Sequence, residues 1–280
     1  MPKKQYKTGD PLEGDLLIST DKEFRCEGVL ITFLAREYTK IVVSGPNNTS
    51  STHYSENVYA KRTNQIRQAG YIPSGRTRVP FRFEIPKSCL SSYHGEYSHV
   101  EYTLEVKVEI PWDFDLKSKG EVTVTSLKKP PKPRHLRALS DRSQFPDLQM
   151  EVMSDVVCIG EDLMFKICVS DDKSIRGIRI DVVNHEWARA GEHTRTRDNI
   201  VLRKYFPKEK IKQNAWILMK LKTSRRIPTI FEAKDMKSNV SLKITMDIPF
   251  ATDISIHCPI IPVYCPMILE DDTLTYETLY

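Results

Sequence analysis

The chain has 280 residues, and its 42 Lys or Arg nearly cancel its 37 Asp or Glu to leave a formal charge of +5. At 40% apolar and 28% charged residues, this is the composition of an ordinary soluble globular protein, long enough for one large domain or two smaller ones. No run approaches the ~18 apolar residues of a membrane span, and the first twenty residues lack the apolar core of a secretory signal, so a cytoplasmic protein is expected.

Read from the N-terminus, Gly9 and Gly14 punctuate TGDPLEG (8–14), where turns need positive φ or close approach. Apolar strands follow at Leu16–Ser19 and Val29–Phe33, and GPNN at 45–48 is a natural hairpin turn. The best helical candidate is Asn57–Ala69, although its Val, Tyr, Thr and Asn content suits a helix poorly. Gly75 marks another turn, and Pro80, Pro86, Pro111 and Pro249 fall where strand ends tolerate a missing donor. Phe81, Phe83 and Tyr102 alternate onto a face and are expected in the core. From Glu101 to Ile110, Tyr102, Leu104, Val106, Val108 and Ile110 alternate with polar residues, as in a strand with one wet face. Trp112, just beyond, is expected to pack over the end of the sandwich, the alternative being a ring exposed for a partner.

The charge surplus has one address. Residues 1–127 hold 17 basic and 16 acidic side chains, a net of +1, and residues 138–280 hold 20 and 21, a net of −1. Residues 128–137, KKPPKPRHLR, carry Lys128, Lys129, Lys132, Arg134 and Arg137 without an acid. Their prolines forbid a helix, so a stiff extended connector is expected. It is either a solvated linker or a surface for anionic lipid, phosphorylated tails or nucleic acid.

Beyond the connector the strand code resumes at Leu163–Val169, Ile178–Val182 and Val240–Ile248, with SDDKS (170–174) as a further turn. The two halves echo each other. Gly9-Asp10 followed by Gly28 is matched by Gly160-Glu161 followed by Gly177, and VEYTLEVKVEIP is matched by NVSLKITMDIP. The expected fold is all-β: two tandem immunoglobulin-like antiparallel β-sandwiches, residues 1–127 and 138–269, joined by the linker 128–137 and followed by an acidic tail, 270–280.

Cys26, Cys89, Cys158, Cys168, Cys258 and Cys265 form no CxxC pair and are expected as reduced thiols. His185-Glu186-Trp187 does not extend to HExxH, and no nucleophile elbow, P-loop or Rossmann glycine triplet occurs. His94 and His99, flanking GEYS in a hairpin, read as a solvated pair, and Asp171-Asp172 and Asp271-Asp272 read as solvated acids. Neither catalysis, nor a metal, nor a cofactor is expected.

The motifs resemble the arrestin fold, and within it the alpha-arrestin or arrestin-domain-containing proteins. TGDPLEG and CEGVLITFLARE (26–37) are similar to the family's opening, and residues 71–115 carry its Gly-x-x-x-x-Pro-Phe-x-Phe-x-x-Pro segment at Gly75, Pro80, Phe81, Phe83 and Pro86. Ser92, Gly95, Tyr102 and the Pro111-Trp112 pair continue the match. IGEDLMFKICVSDDKSIRGIRIDVV and the segment 226–262 resemble the start and close of the second arrestin domain. The resemblance implies a non-enzymatic cytosolic adaptor or scaffold, peripheral at membranes, that uses concave sheets, edge strands and basic patches to grip membrane-protein tails. Trafficking machinery or a small GTPase would be its further partners. The alternative is a structural subunit of a retromer-like sorting assembly, or a regulator like the bacterial sporulation-control proteins of the same fold.

Candidate anion contacts are Lys3, Lys4 and Lys7, Arg76 and Arg78, and the connector's Lys128, Lys129, Lys132, Arg134 and Arg137. Lysines would meet phosphate as point charges, and arginines would fork onto it. HTRTR (193–197) and Arg225-Arg226 are further basic spots. Nucleic acid is not an expected partner, because the connector lacks interleaved aromatics. No Pro-Pro-x-Tyr occurs, so ligase recruitment by that route is not expected, and the acidic tail is either disordered or an internal lock.

Overall fold

A computed structural model of the chain describes residues 5–126, 130–140, 147–170, 174–224 and 226–265. The chain divides into two compact units, Met1–Leu127 with Ala188–Thr194, and Lys128–Trp187 with Arg195–Tyr280. Among the described residues there is no α-helix.

In chain order the strands from Gln5 to Thr125 are β1 (Gln5–Lys7), β2 (Pro11–Thr20), β3 (Phe24–Cys26), β4 (Gly28–Ser44), β5 (Ser50–Arg67), β6 (Gly70–Ile72), β7 (Gly75–Glu84), β8 (Tyr93–His94), β9 (Ser98–Glu109), β10 (Leu116–Glu121) and β11 (Thr123–Thr125). One sheet runs β10-β9-β4-β5, with β8 added to β9, and the ribbons β2-β7, β3-β6 and β1-β11 supply the remaining strands. Phe33 of β4 meets Phe83 of β7 with ring centroids 5.8 Å apart, and Val29 and Val108 join Cys26 and Ile72 in one buried cluster. Alternation explains the burial along β7, where Val79 and Phe83 are buried, Phe81 is half-buried, and the residues between them face water. Gly14 lies inside β2 opposite Phe81 and not in a turn.

The strands that follow are β12 (Leu136–Leu139), β13 (Leu148–Val152), β14 (Val156–Cys158), β15 (Asp162–Val169), β16 (Gly177–Ala190), β17 (His193–Pro207), β18 (Ile217–Lys222), β19 (Phe231–Glu232), β20 (Met236–Asp247) and β21 (Ile254–Val263). They form a sheet β12-β13-β15-β18 and a second sheet β14-β21-β20-β16-β17, with β19 beside β20. Their apolar faces share one core, in which Met150, Phe165 and Leu221 of the first sheet meet Ile180, Leu242 and Ile256 of the second.

The sequence repeat has a structural counterpart. β1 pairs in parallel with β11, the last strand before the connector, and β14 pairs in parallel with β21. Each short strand then enters a turn, Asp10 N–H to Lys7 C=O at 3.1 Å and Glu161 N–H to Cys158 C=O at 3.0 Å. The third residue of each turn is a glycine at positive φ, Gly9 at 88° and Gly160 at 96°, where a side chain would be strained. The two parallel pairs depart from the purely antiparallel expectation.

Three other expectations are corrected. Asn57–Ala69 is not helical: residues 57–67 belong to β5, which pairs antiparallel with β4 from Ser44↔Ser50 to Val29↔Arg67. Val58, Tyr59, Thr63 and Ile66 suit a pleated strand, and the neighbouring strand satisfies the backbone that a helix would have satisfied internally. Trp112 does not pack over a sandwich end; it is fully exposed at φ 63° in a turn where Asp113 N–H reaches Ile110 C=O. The repeat-equivalent Phe250 is equally exposed at φ 60°. Cys158 and Cys265 are joined as a disulfide with Cα atoms 5.7 Å apart, whereas Cys26, Cys89, Cys168 and Cys258 are free thiols.

The described part of the connector is exposed from Pro130 to His135 and enters β12 at Leu136. It is pinned by Asp155, a carboxylate with no solvent exposure. Asp155 Oδ1 accepts the Arg134 amide at 2.7 Å and Oδ2 accepts Arg134 Nε at 2.8 Å, while the Asp155 amide donates to Arg134 C=O at 3.0 Å. The Asp155 carbonyl accepts Ile261 N–H of β21. Burial alone would raise the Asp155 pKa, but the Arg134 amide, guanidinium and charge together hold it below the usual carboxylate value.

Two outcomes follow from this architecture. Asp155→Asn should lower unfolding free energy by about 1.5–3 kcal/mol, read from chemical denaturation at neutral pH. Because the folded pKa is depressed, this contribution is complete above the unfolded value of about 3.9 and is lost as pH falls through the folded one. Wild type and variant should therefore converge in strong acid; a gap independent of pH would remove the carboxylate from the explanation. Thiol titration in denaturant without reductant should detect the four cysteines named above as free, rising to six after reduction.

Candidate functional site

The connector cations do not form one free basic patch. Arg134 is committed to Asp155, and Arg137 donates to Gln149 Oε1 at 2.7 Å with Glu151 3.9 Å from its Nε. Lys132 is exposed and takes part in none of the described ion pairs, whereas Lys128 and Lys129 lie outside the described residues, as do Lys3, Lys4, Arg225, Asp171, Asp172 and the tail from residue 266. Lys7 ends β1, and its amide donates to Asp10 Oδ2 at 3.0 Å. On β7, Arg76 is exposed, and Arg78 lies 3.8 Å from Asp15 across the β2-β7 ribbon in a well-solvated pair of little energetic weight.

The longest open features are two edge strands. β5 has 18 residues and borders its sheet beyond β4; β17 has 15 and borders its sheet beyond β16. An edge leaves a row of backbone donors and acceptors on its outer side, which an extended segment can pair with. β17 differs in chemistry: Arg195, Arg197 and Lys204 are exposed along it, Ile200 and Tyr205 are half-exposed, and Asp198 is its one acid. Arg203 is spent internally, forking onto buried Asp181 of β16 through Nε at 2.7 Å and Nη2 at 3.2 Å. The sequence signal for this strand was HTRTR, which reads as a basic spot but does not reveal an edge.

Cross-strand neighbours create two groupings absent from any sequence motif. Asp198 Oδ1, His185 and Ser241 form a hydrogen-bonded row across β17, β16 and β20, with 2.7 Å at each side of the imidazole. The atom order is that of a hydrolase triad, laid out along three neighbouring strands of one sheet. The row holds an imidazole between two polar partners.

In the second grouping, His94, His99 and Glu101 bring three ligand atoms within 4.8 Å of one another. The sequence reads the two histidines as a solvated pair flanking the GEYS hairpin turn, without Glu101. β8-β9 pairing places His94 directly opposite His99, and Tyr38 stacks on His99 with centroids 4.8 Å apart. Tyr38 Oη donates to Glu101 Oε1 at 2.8 Å and Arg36 Nη2 donates to Oε2 at 3.2 Å. Burial pushes the Glu101 pKa up, but these bonds and the Arg36 charge outweigh it and hold the carboxylate below its ordinary value. The same burial and the Glu101 bond push the Tyr38 phenol up to about 12, so it stays a donor at neutral pH.

Among the described residues, no helix is long and apolar enough to cross a membrane. Residues 1–129 match the family model described as arrestin (or S-antigen), N-terminal domain. The chain is also similar to arrestin domain-containing protein 17 of Caenorhabditis elegans, at 26% identity over 143 residues. That alignment covers 45% of this chain and 33% of the relative, so the chain spans about a third of the curated protein it matches. With a strand-only fold among the described residues and glycine turns that repeat from one unit to the next, these matches support an arrestin-fold, alpha-arrestin-like protein.

Proposed function

We propose that this protein is a cytosolic, non-enzymatic adaptor that holds an extended acidic or phosphorylated segment, such as a membrane-protein tail, against an open sheet edge and so links it to trafficking machinery. The arrestin-domain family suggests a trafficking adaptor role in the coarse sense. The observation that carries the finer reading is the β17 edge, with Arg195, Arg197 and Lys204 along a strand whose outer backbone groups face away from its sheet. Main-chain pairing supplies affinity in such a mode, and the positive charge along the strand favours an acidic or phosphorylated segment. Separately from β17, exposed Arg76 and Lys132, and Lys3, Lys4, Lys7, Lys128 and Lys129, are proposed as anion contacts of the same chemistry, each within its own unit. The redox poise of the cytosol would set whether the Cys158–Cys265 pair is bonded there.

The reading is tested by fluorescence anisotropy with labelled acidic and phosphorylated 12-residue peptides. Binding should weaken steeply as salt rises, because the contacts are solvent-exposed charges. Arg195→Glu combined with Arg197→Glu should reduce affinity at least about tenfold, equivalent to about 1.4 kcal/mol, while thermal stability changes little. Equal affinity in wild type and variant would exclude β17 as the docking edge. Co-purification of the chain in a fixed ratio with a partner, insensitive to salt, would point instead to an assembly subunit.

A further inference from the structure

The cluster at the β8-β9 hairpin has the makings of a site that neither the family match nor the adaptor reading uses. GEYS closes a tight turn, with Gly95 N–H donating to Ser98 C=O at 2.8 Å, and the turn sets His94 and His99 as direct cross-strand partners. Side chains of such a pair stand on one face of a sheet with Cβ atoms about 5 Å apart. Glu101, two residues along β9, falls on the same face by strand periodicity. The β4 residues opposite His99 and Glu101 are Tyr38 and Arg36, so three neighbouring strands contribute to one patch.

We propose that His94, His99 and Glu101 form a binding site for a late first-row divalent metal, Zn²⁺ in the first instance. Two imidazoles and one carboxylate are the ligand types that suit zinc, and three protein ligands leave the fourth tetrahedral position to water. The outer contacts are those that orient metal ligands: Tyr38 stacks on the His99 ring and donates to Glu101, and Arg36 holds the other carboxylate oxygen. The Arg36 charge is itself offset by Glu56, whose Oε1 accepts Nη1 at 2.9 Å. His94 is exposed while His99 and Glu101 are half-buried, so a metal has access from solvent onto a partly preformed pair. Binding would fasten β8 to β9 beyond what the short backbone pairing supplies.

The test uses the full chain after treatment with a chelator. Zn²⁺ is titrated against a chromophoric competitor, and Co²⁺ is added separately to read ligand-field absorption. Wild type should bind with a Kd tighter than about 10 µM. His94→Asn and His99→Asn should each weaken binding at least about tenfold, and the double variant should lose the tetrahedral Co²⁺ spectrum. Tyr38→Phe should weaken it by about tenfold without removing it, and His185→Asn, at the other histidine grouping, should leave the affinity unchanged. Zn²⁺ should raise the melting temperature of wild type but not of the double variant. His94 is exposed, so His94→Asn remains informative if a substitution at His99 impairs folding. Equal binding by wild type and the His94→Asn variant, or no wild-type binding at 0.1 mM Zn²⁺ on the affinity scale used above, would overturn the site. Peptide binding at β17 is scored in a separate assay, so failure of the metal site leaves the adaptor reading to stand or fall by itself.

Discussion

One buried carboxylate holds together the part of the chain where the charge surplus lies. Asp155 gathers the amide, the guanidinium and the carbonyl of Arg134 on one side and gives its own carbonyl to Ile261 on the other. A charge placed there without partners would cost several kcal/mol of desolvation, so the site exists only because the connector delivers a cation and two backbone groups to it. The connector is thereby converted from a loose tether into a fixed lead-in to β12. Its arginines are used for architecture, and among the described connector residues Lys132 is the exposed cation outside the described ion pairs.

The same economy recurs at the strand pair that follows. β14 is three residues long and pairs in parallel with β21, and β1 does the same with β11. So short a parallel pair gains little from its own ladder. It holds because the flanking residues are anchored: Gly9 N–H on Ile85 C=O, Gly160 N–H on Thr223 Oγ1, and buried Val157 and Val124 on the core side. The positive-φ glycines allow the chain to leave the parallel pair and enter the next strand at once. Repetition of this arrangement in both units ties the degenerate sequence echo to a physical requirement.

Much of this was legible in the sequence. Period-two runs located β9, β15, β16 and β20, Pro86, Pro111 and Pro249 sat just past strand ends, and GPNN closed the β4-β5 hairpin, whereas Pro80, expected at a strand end, lies inside β7 opposite Asp15. The long β5 strand was not, because its polar, exposed residues carry no clean alternation and its pairing partner is specified only by the fold. Trp112 was misjudged for a different reason, since a large aromatic after a strand normally finds a core, whereas here the Pro-aromatic turn sends the ring outward, as it does at Phe250. The polar groupings lay mostly beyond reach. Ser241–His185–Asp198 joins residues from three strands, and Asp155–Arg134 joins the connector to the bend before β14; contacts between such distant segments leave no spacing in the chain. His94 and His99 are the exception: two histidines bracketing a four-residue turn already specify a cross-strand pair, and only Glu101 two positions on was needed to see a third ligand.

The parallel closures also set a timetable for synthesis. Hairpins such as β4-β5 can form as soon as both arms have left the ribosome, but β1 has no strand partner until β11 emerges, more than a hundred residues later. At about 5–20 residues per second this is a wait on the order of ten seconds, and β14 waits similarly for β21. Contacts so distant along the chain are also the slow ones to form. Each short parallel strand therefore stays unpaired while most of the strands after it are made, and until β11 or β21 has emerged the nascent chain keeps an open edge there for chaperones to cover.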